Sequence, residues 1–335
     1  MSNPILIELT RGSCVESMHA GALAVARADG SVVAAVGDVT LPTFPRSAIK
    51  PLQALAFATS GAVDGFDFGA RELAIACGSH SGTPRHVAVV AQLLQRAGLS
   101  PAALGCGVHE PLDGEAAREL VRSGAALSPL HHNCSGKHAG MLATAVHRGD
   151  APADYWRAEH PVQERIRQHL EQLTRAELGA ELRGIDGCSV PNWAIPLAHL
   201  AAAYARFASG EGFGDAGRRA CRRVMEACWA EPELVAGAGR LDTRVLAVMP
   251  GEVLIKSGAE GVYCGALPAR GLGFAVKVDD GAKRAAEAVA VALMARFYPQ
   301  LTPFGPAARL TNWRGLEVGR MRAAPALLTG LAALS

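Results

Sequence analysis

The chain has 335 residues, of which 50% are hydrophobic, and its formal net charge is +2 at pH 7. At about 150 residues per domain, this length allows one large domain or two small ones, with a sizeable core. The arginines are scattered and aromatic residues make up only 5%, so the sequence shows neither a phosphate-binding stripe nor a base-stacking platform. The composition therefore argues against a nucleic-acid partner.

Membrane and secretory features are also missing from the sequence pattern. The first residues carry no basic segment followed by a long apolar core, and no run of about 18 apolar residues occurs. We therefore predict a cytoplasmic protein without a membrane partner. The 8 cysteines include no Cys-x-x-Cys pair and are too dilute for a disulfide scaffold. We expect mostly reduced thiols, with Cys14, Cys221 and Cys228 in the core.

The predicted elements begin with two strands and continue with helices. Ile5 to Thr10 and Ala22 to Val36 are strand-like, and Asp29-Gly30 turns the second into a hairpin. Helical spacing of apolar residues follows in Ser47 to about Ala58, Thr83 to Leu94, Gly136 to Val146, Pro161 to Leu173 and Ile195 to Phe207.

Short strands return near the end of the chain. They are Glu252 to Ile255, Val262 to Leu267 and Gly273 to Val278, and a helix over Ala282 to Phe297 follows them. Strands at both ends with helices between them predict an α+β fold, in which helices flank an antiparallel sheet built from both termini. Since no repeat and no clear linker divides the chain, we expect a single unit over residues 1–335.

Lysine is rare in this chain, and its placement is informative. Only 5 of the 33 basic residues are lysines, and three of them lie in Ser47-Ala-Ile-Lys50, Cys134-Ser-Gly-Lys137 and Lys256-Ser-Gly258. A guanidinium stays charged in proteins, whereas an amine can lose its proton. This usage indicates that at least two of these lysines take part in chemistry.

Ser47 and Lys50 are three residues apart at a predicted helix start, so their side chains can share one face. The backbone N–H groups there favour a developing negative charge. If Lys50 is desolvated near a second cation such as Lys256, it can accept the Ser47 proton, which makes a Ser–Lys nucleophile. The alternative is an exposed capping serine followed by a lysine that extends to solvent.

A Ser-x-x-Lys helix paired with a distant Lys-Ser-Gly strand resembles serine β-lactamases and penicillin-binding proteins. Here the Lys-Ser-Gly sequence begins at Lys256 and follows an apolar strand. The middle Ser-x-Asn of those enzymes has no obvious equivalent. Ser79, within Gly78-Ser-His-Ser-Gly82, is the candidate for a second hydroxyl in the site.

Five segments together resemble the Rhizobium etli-type L-asparaginases, the class 3 or asparaginase II family, across essentially the whole chain. These segments are Ser47-Ala-Ile-Lys-Pro-Leu-Gln53, Gly78-Ser-His-Ser-Gly82, Asn133-Cys-Ser-Gly-Lys-His-Ala-Gly-Met141, Gly184-Ile-Asp-Gly-Cys-Ser-Val-Pro-Asn192 and Lys256-Ser-Gly-Ala-Glu-Gly261. The resemblance implies a fold like that of the penicillin-recognising enzymes, in one catalytic unit, and hydrolysis of L-asparagine to L-aspartate and ammonia. It assigns the nucleophile to Ser47, its partner to Lys50, and the second serine and lysine to Ser79 and Lys256. We also expect a homodimer.

The same resemblance implies a zinc ion at Cys134, Lys137 and Cys188. Lysine is a rare zinc ligand because its amine must be neutral. The alternative is a pair of reduced cysteines packed near the site without metal. Because a serine with an amine base needs no metal-bound water, we expect zinc to modulate the enzyme rather than to catalyse the reaction.

A site for asparagine needs an anion for its ammonium and donors for its carboxylate. Asp186 is the candidate for the ammonium, although it could instead stabilise the Asp-Gly turn. Arg46, next to the nucleophile, is the candidate for the carboxylate, and His138 is the histidine expected to lie closest to the substrate.

Three functional hypotheses remain open from the sequence. The first is an asparagine amidohydrolase. The second is another acyl hydrolase, acting as a β-lactamase, peptidase or esterase through the same Ser–Lys pair. The third is a metabolite- or zinc-binding protein without turnover, against which the intact Ser47, Lys50 and Lys256 argue.

Overall fold

The structure is a computed structural model that describes residues 2–304 and 309–334. Contacts within the chain group it into two compact units. Unit 1 is Met1–Ala48, Ile195–Arg206 and Ile255–Ser335, and unit 2 is Ile49–Ala194 and Phe207–Leu254. That one catalytic unit spans residues 1–335 stays a prediction.

The strands β1 to β12 are Ile5–Arg11, Cys14–Arg27, Val32–Val36, Pro42–Thr43, Arg183–Ile185, Pro191–Trp193, Ile195–Pro196, Leu254–Ser257, Val262–Leu267, Leu272–Val278, Arg309–Thr311 and Glu317–Ala323. The helices α1 to α13 are Lys50–Thr59, Ala62–Gly65, Ala70–Ala76, Pro84–Arg96, Gly114–Ser123, Ser135–Arg148, Pro161–Thr174, Leu197–Ser209, Asp215–Ala230, Pro232–Val235, Leu241–Val248, Lys283–Ala295 and Pro325–Ala332. Short 3-10 turns lie at Arg46–Ile49, Pro101–Ala103, Pro129–His131, Ala180–Leu182, Pro268–Arg270 and Pro299–Phe304.

Unit 1 is built on an antiparallel sheet with the strand order β11-β12-β1-β2-β10-β9-β8, and β3 pairs with β2 beside this path. Helices α12 and α13 pack against strands of this sheet. The predicted α+β class, with an antiparallel sheet flanked by helices, is therefore confirmed. Because β1 pairs with β12, the prediction that both termini contribute to the sheet is confirmed as well.

The contact between α8 and β10 is unusually close. A Cβ atom at Gly273 would lie 2.1 Å from Ala201 O, so only glycine lets the helix backbone rest on the strand. Three residues further along α8, the Tyr204 hydroxyl donates to Ala48 O. Helix α8 thus links the sheet of unit 1 to the turn that carries Ser47.

Unit 2 is mainly helical, and α6 runs through its core with every residue from Ser135 to Ala145 buried. A Cβ atom at Gly136 would lie 2.2 Å from Ile75 O. Helix α3 therefore packs directly on the first turn of α6. This contact places the segment that follows α3, residues 77–82, beside the start of α6.

The helix predicted from Ser47 begins instead as a 3-10 turn, and α1 starts at Lys50. The hairpin at Asp29-Gly30 is confirmed, with Gly30 at φ +102, but β2 begins at Cys14 and not at Ala22. The amphipathic helices α5 and α9 and the pairing strand β12 were not predicted.

The 8 cysteines are free thiols, as expected. Cys221 and Cys228 are buried, but Cys14 is exposed, so its assignment to the core was wrong. It lies where β2 extends past the compact part of the sheet, ahead of the buried run that begins at Gly21. Within residues 2–304 and 309–334, no helix is long and apolar enough to cross a membrane.

Two buried histidines stack inside unit 2. The rings of His80 and His86 are 5.0 Å apart and nearly parallel. His80 accepts from Gly82 N and donates to Ser135 Oγ at 2.9 Å, and His86 accepts from Thr83 and donates to Glu233 O at 2.9 Å. Burial is the largest cause that lowers the pKa of both rings below the ordinary histidine value, and for His86 it outweighs the hydrogen bond to Glu233 O, which raises the pKa. Both rings are therefore neutral structural elements near pH 7.

We predict that this stack makes stability depend on pH. The unfolded chain binds these protons near pH 6.5, whereas the folded chain binds them only at lower pH. The free energy of unfolding is therefore complete above pH 6.5 and falls below it by about 1.4 kcal/mol per pH unit for each histidine. Urea unfolding between pH 7.5 and 5 measures this slope. His86→Gln should make the slope shallower, whereas the same change at the exposed His199 should not. Equal slopes in both variants would contradict the assignment.

Candidate active site

In unit 1, Ser47 lies half-buried in the 3-10 turn Arg46–Ile49. Arg46 has a φ of +52, an uncommon conformation for a residue other than glycine, which turns the chain sharply just before Ser47. Ala48 N donates to Pro45 O at 3.0 Å and closes the turn. The serine therefore sits on a tight, fixed bend.

Lys256 is fully buried on β8, and its Nζ donates to Ser257 O at 2.9 Å. The next residue, Gly258, lies against the Ser47 turn: a Cβ atom there would be 2.6 Å from Pro45 O and 3.2 Å from Ala48 Cβ. Unit 1 thus brings the Lys256-Ser-Gly sequence next to the turn that carries Ser47. A side chain at position 258 would push the two apart.

In unit 2, Lys50 is fully buried and makes two hydrogen bonds to the Gly78-Gly82 segment. Its Nζ donates to Gly78 O at 2.6 Å and contacts Ser79 Oγ at 2.9 Å. Lys50 and Ser79, which were assigned to one site from separate motifs, are therefore direct neighbours. Gly78 is required by space, since a Cβ atom there would lie 2.6 Å from Leu234 O.

A second cluster of side chains, also in unit 2, consists of Lys137, Cys188 and Asp186. Lys137 Nζ lies 3.1 Å from Cys188 Sγ and 3.8 Å from Asp186 Oδ2. Burial disfavours the ammonium form of Lys137, but the negative charge of Cys188, Cys134 and Asp186 outweighs it and raises the lysine pKa. Lys137 is therefore protonated when no metal is bound.

Cys134 and Cys188 share a proton. The hydrogen bond from Cys188 lowers the pKa of the Cys134 thiol against the effect of burial, and the positive charges of Lys50 and Lys137 lower it further. That same hydrogen bond, together with burial, raises the pKa of Cys188. The cluster thus holds a thiolate that is neutralised by Lys137.

These donors were tested as a zinc site by their chemistry. Two cysteine sulfur atoms suit zinc, and the Lys137 amine can join them only after losing its proton. Among the described residues, no group of three His, Cys, Asp or Glu side chains is placed to hold a metal. The donor set therefore fits zinc only with Lys137 included, and binding would release protons.

Asp186 lies at the tip of the β5–β6 hairpin. Its Oδ1 accepts from Gly187 N at 2.9 Å, and Ser189 N donates to Asp186 O at 2.8 Å, with Ser189 at φ +78. The carboxylate therefore both stabilises the turn, as the alternative hypothesis held, and faces the Lys137 ammonium.

His138 is buried in α6 and contacts Tyr155, a residue that the sequence motifs did not indicate. Gly105 N donates to the Tyr155 hydroxyl at 2.8 Å, and that hydroxyl lies 2.6 Å from His138 Nδ1. The tyrosine hydroxyl thus links the backbone of Gly105 to the His138 ring. Burial lowers the His138 pKa, so the ring is neutral.

Buried polar atoms without a protein partner mark places where a ligand or water is needed. Within the described part of the chain these atoms are His138 Nε2, Gln163 Oε1 and Asn192 Oδ1. His138 and Asn192 belong to the motifs found in the sequence. Gln163 was missed, because only tertiary contacts connect it to this region: its Nε2 donates to Tyr155 O at 2.9 Å and to Met141 Sδ at 3.4 Å.

Comparison with curated proteins gives no match. Among solved structures, one described as "Crystal Structure Analysis of Mglu in its native form" is 17% identical with a TM-score of 0.44, and covers 79% of this chain and 61% of that chain. A second, "Crystal Structure Analysis of Mglu", is 14% identical with a TM-score of 0.47, and covers 84% of this chain and 67% of that one. The chain thus spans less than two thirds of the length of the first of these structures.

A family model matches nearly the whole chain. The model of the family described as L-asparaginase II matches residues 7–323. The match includes both units and every motif on which the resemblance was based. The chain therefore belongs to the L-asparaginase II family, a family of enzymes named for the hydrolysis of asparagine.

Proposed function

We propose that this protein hydrolyses L-asparagine to L-aspartate and ammonia through an acyl-enzyme on Ser47. The observation that supports this proposal most is the buried Lys50 amine, 2.9 Å from Ser79 Oγ and three residues after the half-buried Ser47. Membership of the L-asparaginase II family supports the choice of substrate.

In the proposed mechanism, Ser47 Oγ attacks the side-chain amide carbon of asparagine. The Lys50 amine takes the serine proton, with the Ser79 hydroxyl as its hydrogen-bonded partner, and passes it to the amide nitrogen, which leaves as ammonia when the C–N bond breaks. Water then attacks the resulting ester, its proton returns through Lys50 to Ser47 Oγ, and L-aspartate is released. The buried positive charge of Lys256 opposes the negative charge that develops on the substrate oxygen.

We assign substrate recognition to three further residues. Asp186 supplies the negative charge for the substrate ammonium, and Arg46 supplies donors for its carboxylate. His138 offers its Nε2 atom, which has no hydrogen-bond partner among the described residues. A buried polar atom of this kind is costly unless a ligand or water satisfies it, which makes His138 a selective contact for a polar atom of the substrate.

Zinc, in this proposal, is held by Cys134, Lys137 and Cys188 and modulates the enzyme. A bound zinc ion would supply positive charge near the substrate. Two of these residues also contact Asp186, since Lys137 Nζ lies 3.8 Å and Cys188 Sγ 3.6 Å from its Oδ2. A homodimer and a cytoplasmic location stay predictions from the sequence.

We predict that Ser47→Ala abolishes ammonia release from L-asparagine. The substitution removes the attacking oxygen and, at a half-buried turn, should cost no more than about 1 kcal/mol of stability. Coupled ammonia detection and thermal unfolding measure both effects. Ser123→Ala, an exposed serine on α5, is the control and should behave as the wild type. Near-normal activity of S47A would exclude the Ser–Lys mechanism, and wild-type turnover of glutamine or a β-lactam in place of asparagine would redirect the substrate assignment.

Replacing Lys50 or Lys256 with arginine should slow the reaction severely. Arginine keeps the charge, but it cannot act as a base at working pH and its larger head does not fit a fully buried site. If a neutral lysine is the base, the wild-type rate should rise toward alkaline pH. The control is Lys283→Arg, since Lys283 pairs with Glu287 on the surface of α12 at 3.4 Å. A K50R enzyme of normal rate, or an acidic optimum, would contradict the assignment.

Loss of zinc should weaken substrate binding more than turnover. We expect Cys188→Ser, or chelation of the wild type, to raise KM several-fold while kcat remains measurable, because lost ground-state positioning appears mainly in KM. Elemental analysis of the purified protein establishes occupancy first. Reversible loss of all activity on metal removal would replace the serine mechanism with a metal-based one, and full activity without metal would leave the cysteines as packing residues.

A further inference from the structure

The Gly78-Gly82 segment, which carries Ser79, is extended and held by its backbone. Ser79 N donates to Val235 O at 2.9 Å, and His80 N donates to Asn133 O at 3.1 Å. Both partners lie in unit 2, and both follow the segment by 50 residues or more in the sequence. The position of the Ser79 hydroxyl therefore depends on residues far from it in the chain.

One arginine also binds the backbone of this segment. Arg240 Nη1 donates to Ser79 O at 2.6 Å and to Ala236 O at 3.4 Å. The two backbone groups of Ser79 are thus bound by a single stretch, residues 235–240, one by a carbonyl and the other by a guanidinium. Hydrogen bonds from a charged donor are shorter and stronger than neutral ones.

Helix α11 fixes the position of this arginine. Arg240 immediately precedes Leu241, the first residue of α11, and Thr243 Oγ1 in the first turn donates to Gly237 O at 2.7 Å. A Cβ atom at Gly237 would lie 2.3 Å from Ser81 Oγ, so the Gly237 turn presses on the same segment. The Ser81 hydroxyl in turn donates to Ala236 O at 2.8 Å.

We propose that Arg240 is a positioning residue that holds the Ser79 backbone so that the Ser79 hydroxyl meets the Lys50 amine. The role rests on the proposed function in one respect only: Ser79 has to act in turnover. Lys50 donates to Gly78 O at 2.6 Å and Arg240 to the next carbonyl, so two side-chain donors hold consecutive peptide groups. Without Arg240, the Ser79 carbonyl loses its charged donor, and the hydroxyl is positioned only by the weaker neutral contacts of the segment.

The test compares Arg240→Met and Arg240→Lys with the wild type, and uses Arg244→Met as the matched control. Arg244 is an exposed arginine one helical turn further along α11. We expect R240M to lose about 10- to 100-fold in kcat, since small displacements of a reacting group have effects of this size. KM for L-asparagine should change less than about twofold. R240K retains a charged donor and should recover part of the loss, and R244M should match the wild type.

Hydrogen exchange gives a readout that is independent of asparagine hydrolysis. Amides in the peptide that contains residues 78–82 should exchange faster in R240M while the melting temperature is unchanged, and R240K should be intermediate. If the wild type released no ammonia from asparagine, faster exchange in R240M would still support the positioning role while the proposed function failed. Unchanged kcat and exchange in R240M would overturn the inference. If R240M and R240K showed the same fall in kcat, the same change in KM and the same fall in melting temperature, the inference would also be overturned. That pattern indicates a general loss of structure.

Discussion

The buried amine of Lys50 is the interaction on which the helical unit depends. A fully buried amine needs hydrogen-bond acceptors, because an unpaired polar group costs several kcal/mol. Gly78 O and Ser79 Oγ are those acceptors, at 2.6 and 2.9 Å. This requirement explains why the chain after α3 is extended, why position 78 has no side chain, and why Val235, Asn133 and Arg240 hold this stretch by its backbone.

The charges around Lys137 form a second constraint in the same unit. A buried ammonium is tolerated only with compensating negative charge. Here the Cys134–Cys188 pair, with Cys188 Sγ at 3.1 Å, and Asp186 at 3.8 Å supply it. The two cysteines of this cluster are also donors in the proposed zinc site.

In unit 1, glycine residues let backbone segments approach each other closely. Gly258 lets β8 approach the turn of Ser47, and Gly273 lets α8 rest on β10. In both places the approach would be blocked by a single methyl group. The position of Ser47 is thus determined by backbone packing, and its side chain is half-buried.

The sequence by itself determined the α+β class, the hairpin at Asp29-Gly30, the family and the motif residues, because these depend on local pattern and on residue types within short segments. The sequence analysis missed α5 and α9, although both are amphipathic, and it missed β12, whose strand pattern becomes meaningful only beside its partner β1. It also could not identify Tyr155, Gln163 or Arg240. Arg240 is one of many arginines, and its partner Ser79 lies 161 residues away. Only the tertiary structure decided these contacts, since hydrogen bonds between distant segments leave no periodic signal in the chain.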